Sequence, residues 1–233
     1  ITNKLMGSIF PELMESRNFN QCNKHHYLDA LAHALETLKN INKGNLPLSL
    51  AALLHDVAKP YTLTRGEDGD GHFYGHAAVG SKMATNMLKR MKYSNETINL
   101  VSMLIKWHLP SSVGFAKNGH SKMWDEVKID NLPLLFDLMR ADRLSHRDPD
   151  LSDIVELRDK TTEYLSNNNL VDELKIDLTG FDLMDLGIPQ GRYIGLILKE
   201  LTDMVLSGAL ENKKENLIEV AMKIYSRIFG QLL

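Results

Sequence analysis

The residues with most chemical potential are histidines and aspartates placed at the ends of apolar stretches. His55-Asp56 directly follows the run LAALL. Burying either side chain is costly without a partner, and a divalent cation would compensate both. His33 lies on the preceding predicted helix, with Asp29 one turn before it on the same face. Asp29 is therefore expected to orient the His33 imidazole as an acceptor. His76 opens the helix after a glycine-rich stretch, and His108 closes the next one. Asp142 follows the apolar run LPLLFDLM. Several helices thus each offer one or two metal-competent groups. Imidazole with carboxylate suits a transition metal (iron, manganese, nickel, cobalt or zinc) better than calcium.

Each of these residues also has a plainer reading. His55-Asp56 could be a helix-end polar pair, His33 a satisfied core histidine and Asp142 an ordinary helix-end aspartate. His76 and His108 could cap helices or contact only substrate. Lys59 could be a solvated cation favoured by a helix dipole. His25, His120 and His146 read as surface histidines, and Cys22 lies outside every motif. Trp107, on a mainly apolar helix, reads as packed, whereas Trp124 could stack on a base.

The elements that must position these groups are helical. Residues 26–41 place Leu28, Leu31, Leu35 and Leu38 on one stripe. Residues 48–58 read as a buried helix that Pro60 cannot continue. Residues 64–75, TRGEDGDGHFYG, read as a loop, and a helix follows from His76 to Met91. Ser94 is the expected N-cap of a helix reaching His108, with Pro110 as its stop. The methionines at 83, 87, 91 and 103 fall at helical spacing and read as core. Residues 111–128 read as irregular, 132–146 and 152–166 as helical, and 179–186, 193–206 and 215–231 as a helical tail. The expected fold class is all-α, with a helical domain over 1–150 and a helical extension over 151–233.

Composition narrows the function classes. The chain has 233 residues, 43% hydrophobic and 24% charged, which is enough apolar material for a buried core. A net charge of −3 does not argue for global nucleic-acid binding through phosphate neutralisation. One cysteine excludes a disulfide framework and a thiolate zinc cluster, and it fits a reducing cytoplasm. No apolar run reaches membrane-spanning length and no secretory signal is visible. The chain opens on Ile1 rather than methionine, as a trimmed, processed or longer polypeptide would. Oligomeric state is left open.

The order H…HD…D on consecutive helices resembles the HD superfamily of metal-dependent phosphohydrolases. The strings LLHDVAKP, DGHFYGHAAVGSKMA, LKRMKYSNETINLVSMLIKWHL and LMRADRLSH go further, as does FDLMDLGIPQGRYIGLILKELTDMVLSGAL in the tail. They are similar to the C-terminal half of bacterial tRNA nucleotidyltransferases that carry an HD domain, from about residue 10 to 225. The tail departs at Gln190 and Arg192, where prolines are usual. Nothing matches that family's nucleotidyltransferase head, so the chain as given is not expected to add CCA. The resemblance implies that His33, His55, Asp56 and Asp142 form one metal site. It also implies that His76 and His108 complete a second, with Asp56 bridging the two ions. Lys59 would contact substrate phosphate, and His26, His72 and Arg143 would lie near the cleft.

These groups suit phosphate-ester hydrolysis, which needs neutralised phosphoryl oxygens, an ionised water and a stabilised leaving oxygen. One or two divalent ions supply the first two by lowering the pKa of water from ~15.7 to about 7. Two functions therefore follow. The first is hydrolysis of a nucleotide or of RNA-end phosphates, such as 2′,3′-cyclic phosphates. The second is a binding module, the body and tail that hold a tRNA 3′ end, with a structural or vestigial metal site.

Overall fold

The computed structural model describes residues 7–21, 28–67, 69–114, 121–167, 176–206 and 208–230, and over them the protein is all-α. It folds as two compact units, one from Ile1–Val127 with Asp137–Val155 and the other from Lys128–Phe136 with Glu156–Leu233.

The first unit includes α1 (Pro11–Met14) and α2 (Ala30–Asn40). Asp29 starts α2, because its carboxylate accepts from Ala32 N at 2.7 Å. The leucine stripe is only part of the buried face of α2: Leu31 is buried and Leu28 and Leu38 are half-buried. Leu35 is 37% exposed, while Ala30, His33, Ala34 and Thr37 turn inward. Next comes α3 (Leu46–Leu54), capped by the Asn45 side chain on Leu48 N at 2.9 Å. This helix is apolar nearly all round, so it is the buried one. It stops earlier than the sequence pattern suggests, and 55–58 form a turn before α4 (Lys59–Thr62). Pro60 sits in the first turn of α4, where its missing N–H costs nothing.

Residues 64–75 are not simply a loop. Thr64–Arg65 (β1) and Gly71–His72 (β2) pair antiparallel, Thr64 with His72 and Arg65 with Gly71. Two-residue strands are too short for alternation to reveal them. Gly75 then takes φ 77°, a left-handed conformation that favours glycine, and launches α5 (His76–Arg90). Ser94 caps α6 (Asn95–Trp107) through Thr97 N at 3.2 Å. Residues 111–128 also contain more order than expected, with α7 at Lys122–Glu126. Trp107 is packed as expected, and its Nε1 donates to Glu126 at 3.1 Å. Of the four methionines, Met87 alone is fully buried and the others are half-buried.

Helix α5 packs along α6, α6 on α3, and α3 on α2. Leu54, Leu88, Val101, Leu104 and Ile105 form a solvent-free interior. The chain then enters α8 (Leu132–Leu144) and α9 (Ser152–Asn167). Polar bonds tie the end of α2 to α8. Ser145 Oγ accepts from Asn40 Nδ2 at 3.1 Å and donates to the Ala141 carbonyl at 2.9 Å. The Thr37 hydroxyl lies 3.1 Å from the His33 carbonyl and 3.2 Å from Ser145 Oγ. Asp137 accepts from Asn42 N at 2.9 Å and from Arg140 at 2.6 Å. These bonds fix His33 relative to Asp142.

The second unit has its own core. It contains α10 (Gly180–Asp185), α11 (Arg192–Leu206) and α12 (Lys214–Gly230). Ile197, Leu201 and Val205 recur every fourth residue on α11 and meet Leu183, Leu217 and Ala221. Thr179 and Asp182 make a reciprocal capping box at the start of α10. Gly187, at φ 89°, ends it, with Ile188 N returning to the Leu183 carbonyl.

Candidate metal centre

Asp56 stands at the middle of the first unit's polar interior. It follows His55 in the turn after α3, is 3% exposed, and its two oxygens face different groups. Oδ2 lies 3.1 Å from His55 Nε2 and 3.6 Å from His33 Nε2. Oδ1 lies 3.3 Å from His76 Nε2 and 4.0 Å from His108 Nε2. Asp142 Oδ1 closes the first side, 2.8 Å from His33 Nε2 and 3.5 Å from His55 Nε2. His33, His55 and Asp56 can each bring one ligand atom within 4.8 Å of the others, and so can Asp56, His76 and His108. The structure therefore brings together the six residues His33, His55, Asp56, His76, His108 and Asp142.

The orientation of the rings tests whether a cation fits. His55 Nδ1 bonds the Ala52 carbonyl at 2.9 Å, His76 Nδ1 that of Phe73 at 2.7 Å, and His108 Nδ1 that of Ile105 at 2.7 Å. A carbonyl only accepts, so each Nδ1 carries the proton and each Nε2 keeps a lone pair in the neutral ring. In the neutral rings those lone pairs face carboxylate oxygens, acceptor against acceptor, a mismatch that either a proton on Nε2 or a cation must relieve. Nε2 of His55 and of His76 are buried and make no hydrogen bond of good geometry. A divalent cation between them satisfies both sides, and the donor set is that of a transition metal. The residues fit the group.

Charge says the same. Burial disfavours ionised Asp56, but the charges of His55 and Lys59 outweigh it and hold the carboxyl well below its usual range. Asp142 is also depressed despite burial, by the imidazoles of His146, His33 and His55 beside it. Burial works against His55⁺, yet Asp56 and Asp142 raise it to about 10. His108 goes the other way, to about 3, pushed down by burial and by the charges of His55 and His76. The pocket is therefore built around two buried anions that call for cations.

The remaining expected residues are placed differently. Lys59 is buried, with Nζ 2.7 Å from Asp56 Oδ2 and donating to Gln21 Oε1 at 2.7 Å. His72 and Arg143 line the pocket that opens on the cluster. Arg143 is also held by Asp153 at 2.8 Å. His26, with His25 and His120, lies outside the described residues. Asp29 does not orient His33, because its carboxylate is spent on the amides of Ala32 and Asn18. His146 is no surface histidine. It is one turn beyond Asp142, its Nε2 lies 3.5 Å from Asp142 Oδ1, and it lines the pocket. The i,i+4 spacing from Asp142 was the available signal. Gln21 was missed as well, since a lone glutamine carries no motif.

Gly80 keeps the HD turn in place from behind. A Cβ there would lie 3.4 Å from the His55 carbonyl oxygen and 3.6 Å from both Ala58 Cβ and Ile105 Cγ2. One methyl fits, so Gly80→Ala should stabilise helix α5 by about 0.5–1 kcal/mol. Gly80→Val should cost about 1–3 kcal/mol by overpacking, and it should lower metal content by moving His55. Thermal melts with elemental analysis of both variants check this.

The sequence matches the HD domain family over residues 25–147. It is 29% identical over 224 residues to an A-adding tRNA nucleotidyltransferase of Deinococcus radiodurans, covering 91% of this chain and 50% of that protein. It is 31% identical over 219 residues to a CC-adding tRNA nucleotidyltransferase of Thermus thermophilus, covering 91% and 48%. A third relative, the mitochondrial CCA tRNA nucleotidyltransferase 1 of Danio rerio, is 29% identical over 151 residues, covering 61% and 31%. The chain spans about half the length of the first two. Among the described residues, no helix is long and apolar enough to cross a membrane.

Proposed function

We propose, from the premise that this chain belongs to the HD domain family, that it is a metal-dependent phosphohydrolase acting on nucleotides or RNA-end phosphates such as 2′,3′-cyclic phosphates. The observation that carries this reading is the set of buried Nε2 lone pairs facing two carboxylates. His33, His55, Asp56 and Asp142 would hold one divalent ion, iron, manganese, nickel, cobalt or zinc. His76 and His108 would complete a second site that shares Asp56. Ions held there lower the pKa of water and neutralise phosphoryl oxygens. The catalytic domain is assigned to 1–150 and the helical extension to 151–233.

The side chains around the ions have their own tasks. Asp56 would offer one oxygen to each side, Oδ2 beside His55 and Oδ1 beside His76. Lys59 neutralises Asp56 and offers an ammonium on the pocket wall for an incoming phosphate. Arg143, braced by Asp153, and His72 flank that phosphate. His146, turned toward Asp142, completes the polar rim.

The experiment is elemental analysis followed by a screen of cyclic nucleotides, nucleoside monophosphates and aryl phosphates with the recovered metal restored. Turnover of at least one class is expected. Metal-loaded protein that hydrolyses none of them would sink the reading.

A second reading is favoured by the similarity over 91% of the chain to parts of two tRNA nucleotidyltransferases. In it the chain holds the tRNA 3′ end and the metal site is structural or vestigial. Binding of tRNA that weakens steeply with salt supports it, and no binding at low salt removes it.

A further inference from the structure

We propose that the β1–β2 hairpin is a nucleobase platform, on which Tyr74 stacks the base of a nucleotide whose phosphate sits at the histidine–aspartate cluster. The inference rests on the phosphohydrolase reading and names the part of the substrate that the metal centre does not touch.

Tyr74 is a large aromatic left 77% exposed on the wall of the pocket. Buried packing does not explain such a ring, because aromatic side chains usually cover most of their apolar faces. It is nonetheless held. Tyr74 lies against the His72 ring with centroids 5.4 Å apart and planes 15° from parallel. His72 is itself pinned by pairing with Thr64. Phe73, between them, packs edge-on to Phe19 at 6.1 Å and lies under Lys59 Nζ at 5.4 Å. The hairpin lip is thereby anchored while the outer face of Tyr74 stays open.

The distance to the reacting centre is short along the chain. Gly75 turns the backbone, and His76, two residues after Tyr74, places its Nε2 3.3 Å from Asp56. A phosphate at the cluster leaves its base at the hairpin. The pocket holds about 370 Å³. That is near the lower end of the roughly 300–1,000 Å³ typical of small-ligand sites, so it takes one nucleotide unit rather than a folded strand. Stacking on one aromatic face is tolerant of base identity, because every base presents a π-face. The platform therefore selects for the presence of a base and not for its sequence.

The test titrates the Zn²⁺-loaded full chain by calorimetry with AMP and with ribose 5-phosphate, which lacks the base. AMP should bind about 5- to 150-fold more tightly, the 1–3 kcal/mol of one base–aromatic stack. Tyr74→Ala should collapse that ratio toward one and leave ribose 5-phosphate binding unchanged, which also shows that the pocket is intact. Tyr74→Trp should keep the ratio. A 5′-phosphorylated diadenylate that binds more tightly than AMP assigns the ligand to a strand end, and equal binding assigns it to a free nucleotide. The Tyr74 effect persists in either case. A wild-type ratio near one, or a ratio unaltered by Tyr74→Ala, overturns the platform. Turnover followed in the same samples separates the two ideas. Base preference without hydrolysis of any ester removes the phosphohydrolase reading alone, and hydrolysis without base preference removes the platform alone. Failure of both ligands to bind overturns the platform.

Discussion

Asp56→Ala should leave a folded protein that has lost its metal and about 10³-fold or more in kcat/KM toward its phosphate ester. Divalent ions contribute several kcal/mol of charge stabilisation to such a transition state, and each 1.36 kcal/mol is tenfold in rate. Both sets of nitrogens converge on this one carboxylate, so its removal empties both sides together. The structural cost is real as well, because Lys59 and His55 lose the charge beside them. Leaving a buried charge without its partner costs about 3–5 kcal/mol, within the 5–15 kcal/mol stability of an ordinary domain. Asp56→Asn keeps the volume and one oxygen, so it separates lost charge from lost packing. Metal analysis, circular dichroism and steady-state kinetics on both variants decide it. Unchanged activity in either would contradict the assignment of Asp56.

The second large effect is thermal. An ion present at 1,000 times its dissociation constant stabilises the folded state by about 4.1 kcal/mol. For 150–250 residues each kcal/mol moves the midpoint by about 2–4 °C, so chelation should lower Tm by about 8–16 °C. The stripped protein still carries two buried carboxylates, and a proton on His55, raised to about 10, is a poor substitute for a divalent charge. Calorimetry before chelation, after it and after restoring the metal measures the difference. A midpoint that ignores the chelator would mean that the inward-facing lone pairs hold no ion.

Much of the site was legible because its residues violate the composition of their surroundings. His55-Asp56 after LAALL, and Asp142 after LPLLFDLM, are polar groups where burial was already evident. Burial without compensation is costly, so a cluster able to hold a cation was readable from residue type and position. The helices were legible for a similar reason, with Ser94 capping α6 where expected. Other features were hidden. The function of Asp29 was misjudged because helical spacing reports a shared face and says nothing of whether backbone amides claim the carboxylate first. The leucines of α2 marked only part of its inner face, since Leu31 is buried but Leu35 is exposed and the end of that helix is fastened by Thr37, Asn40 and Ser145. His146 and Gln21 act through contacts that only the fold creates: 3.5 Å to Asp142 for one, 2.7 Å to Lys59 for the other.

The three imidazole anchors have an evolutionary consequence. His55, His76 and His108 each brace on a main-chain oxygen, those of Ala52, Phe73 and Ile105. Every amino acid supplies that oxygen, so no codon change at these three positions can delete it. Where a carboxylate side chain does this work, its loss typically costs 10- to 100-fold in affinity or activity. Here the corresponding support is concealed from a mutational scan. Tolerance at Ala52, Phe73 and Ile105 would reflect side-chain packing alone. Loss of a side chain at these three positions leaves the ring anchors in place, whereas added bulk at Gly80, which lies against the His55 carbonyl, does not.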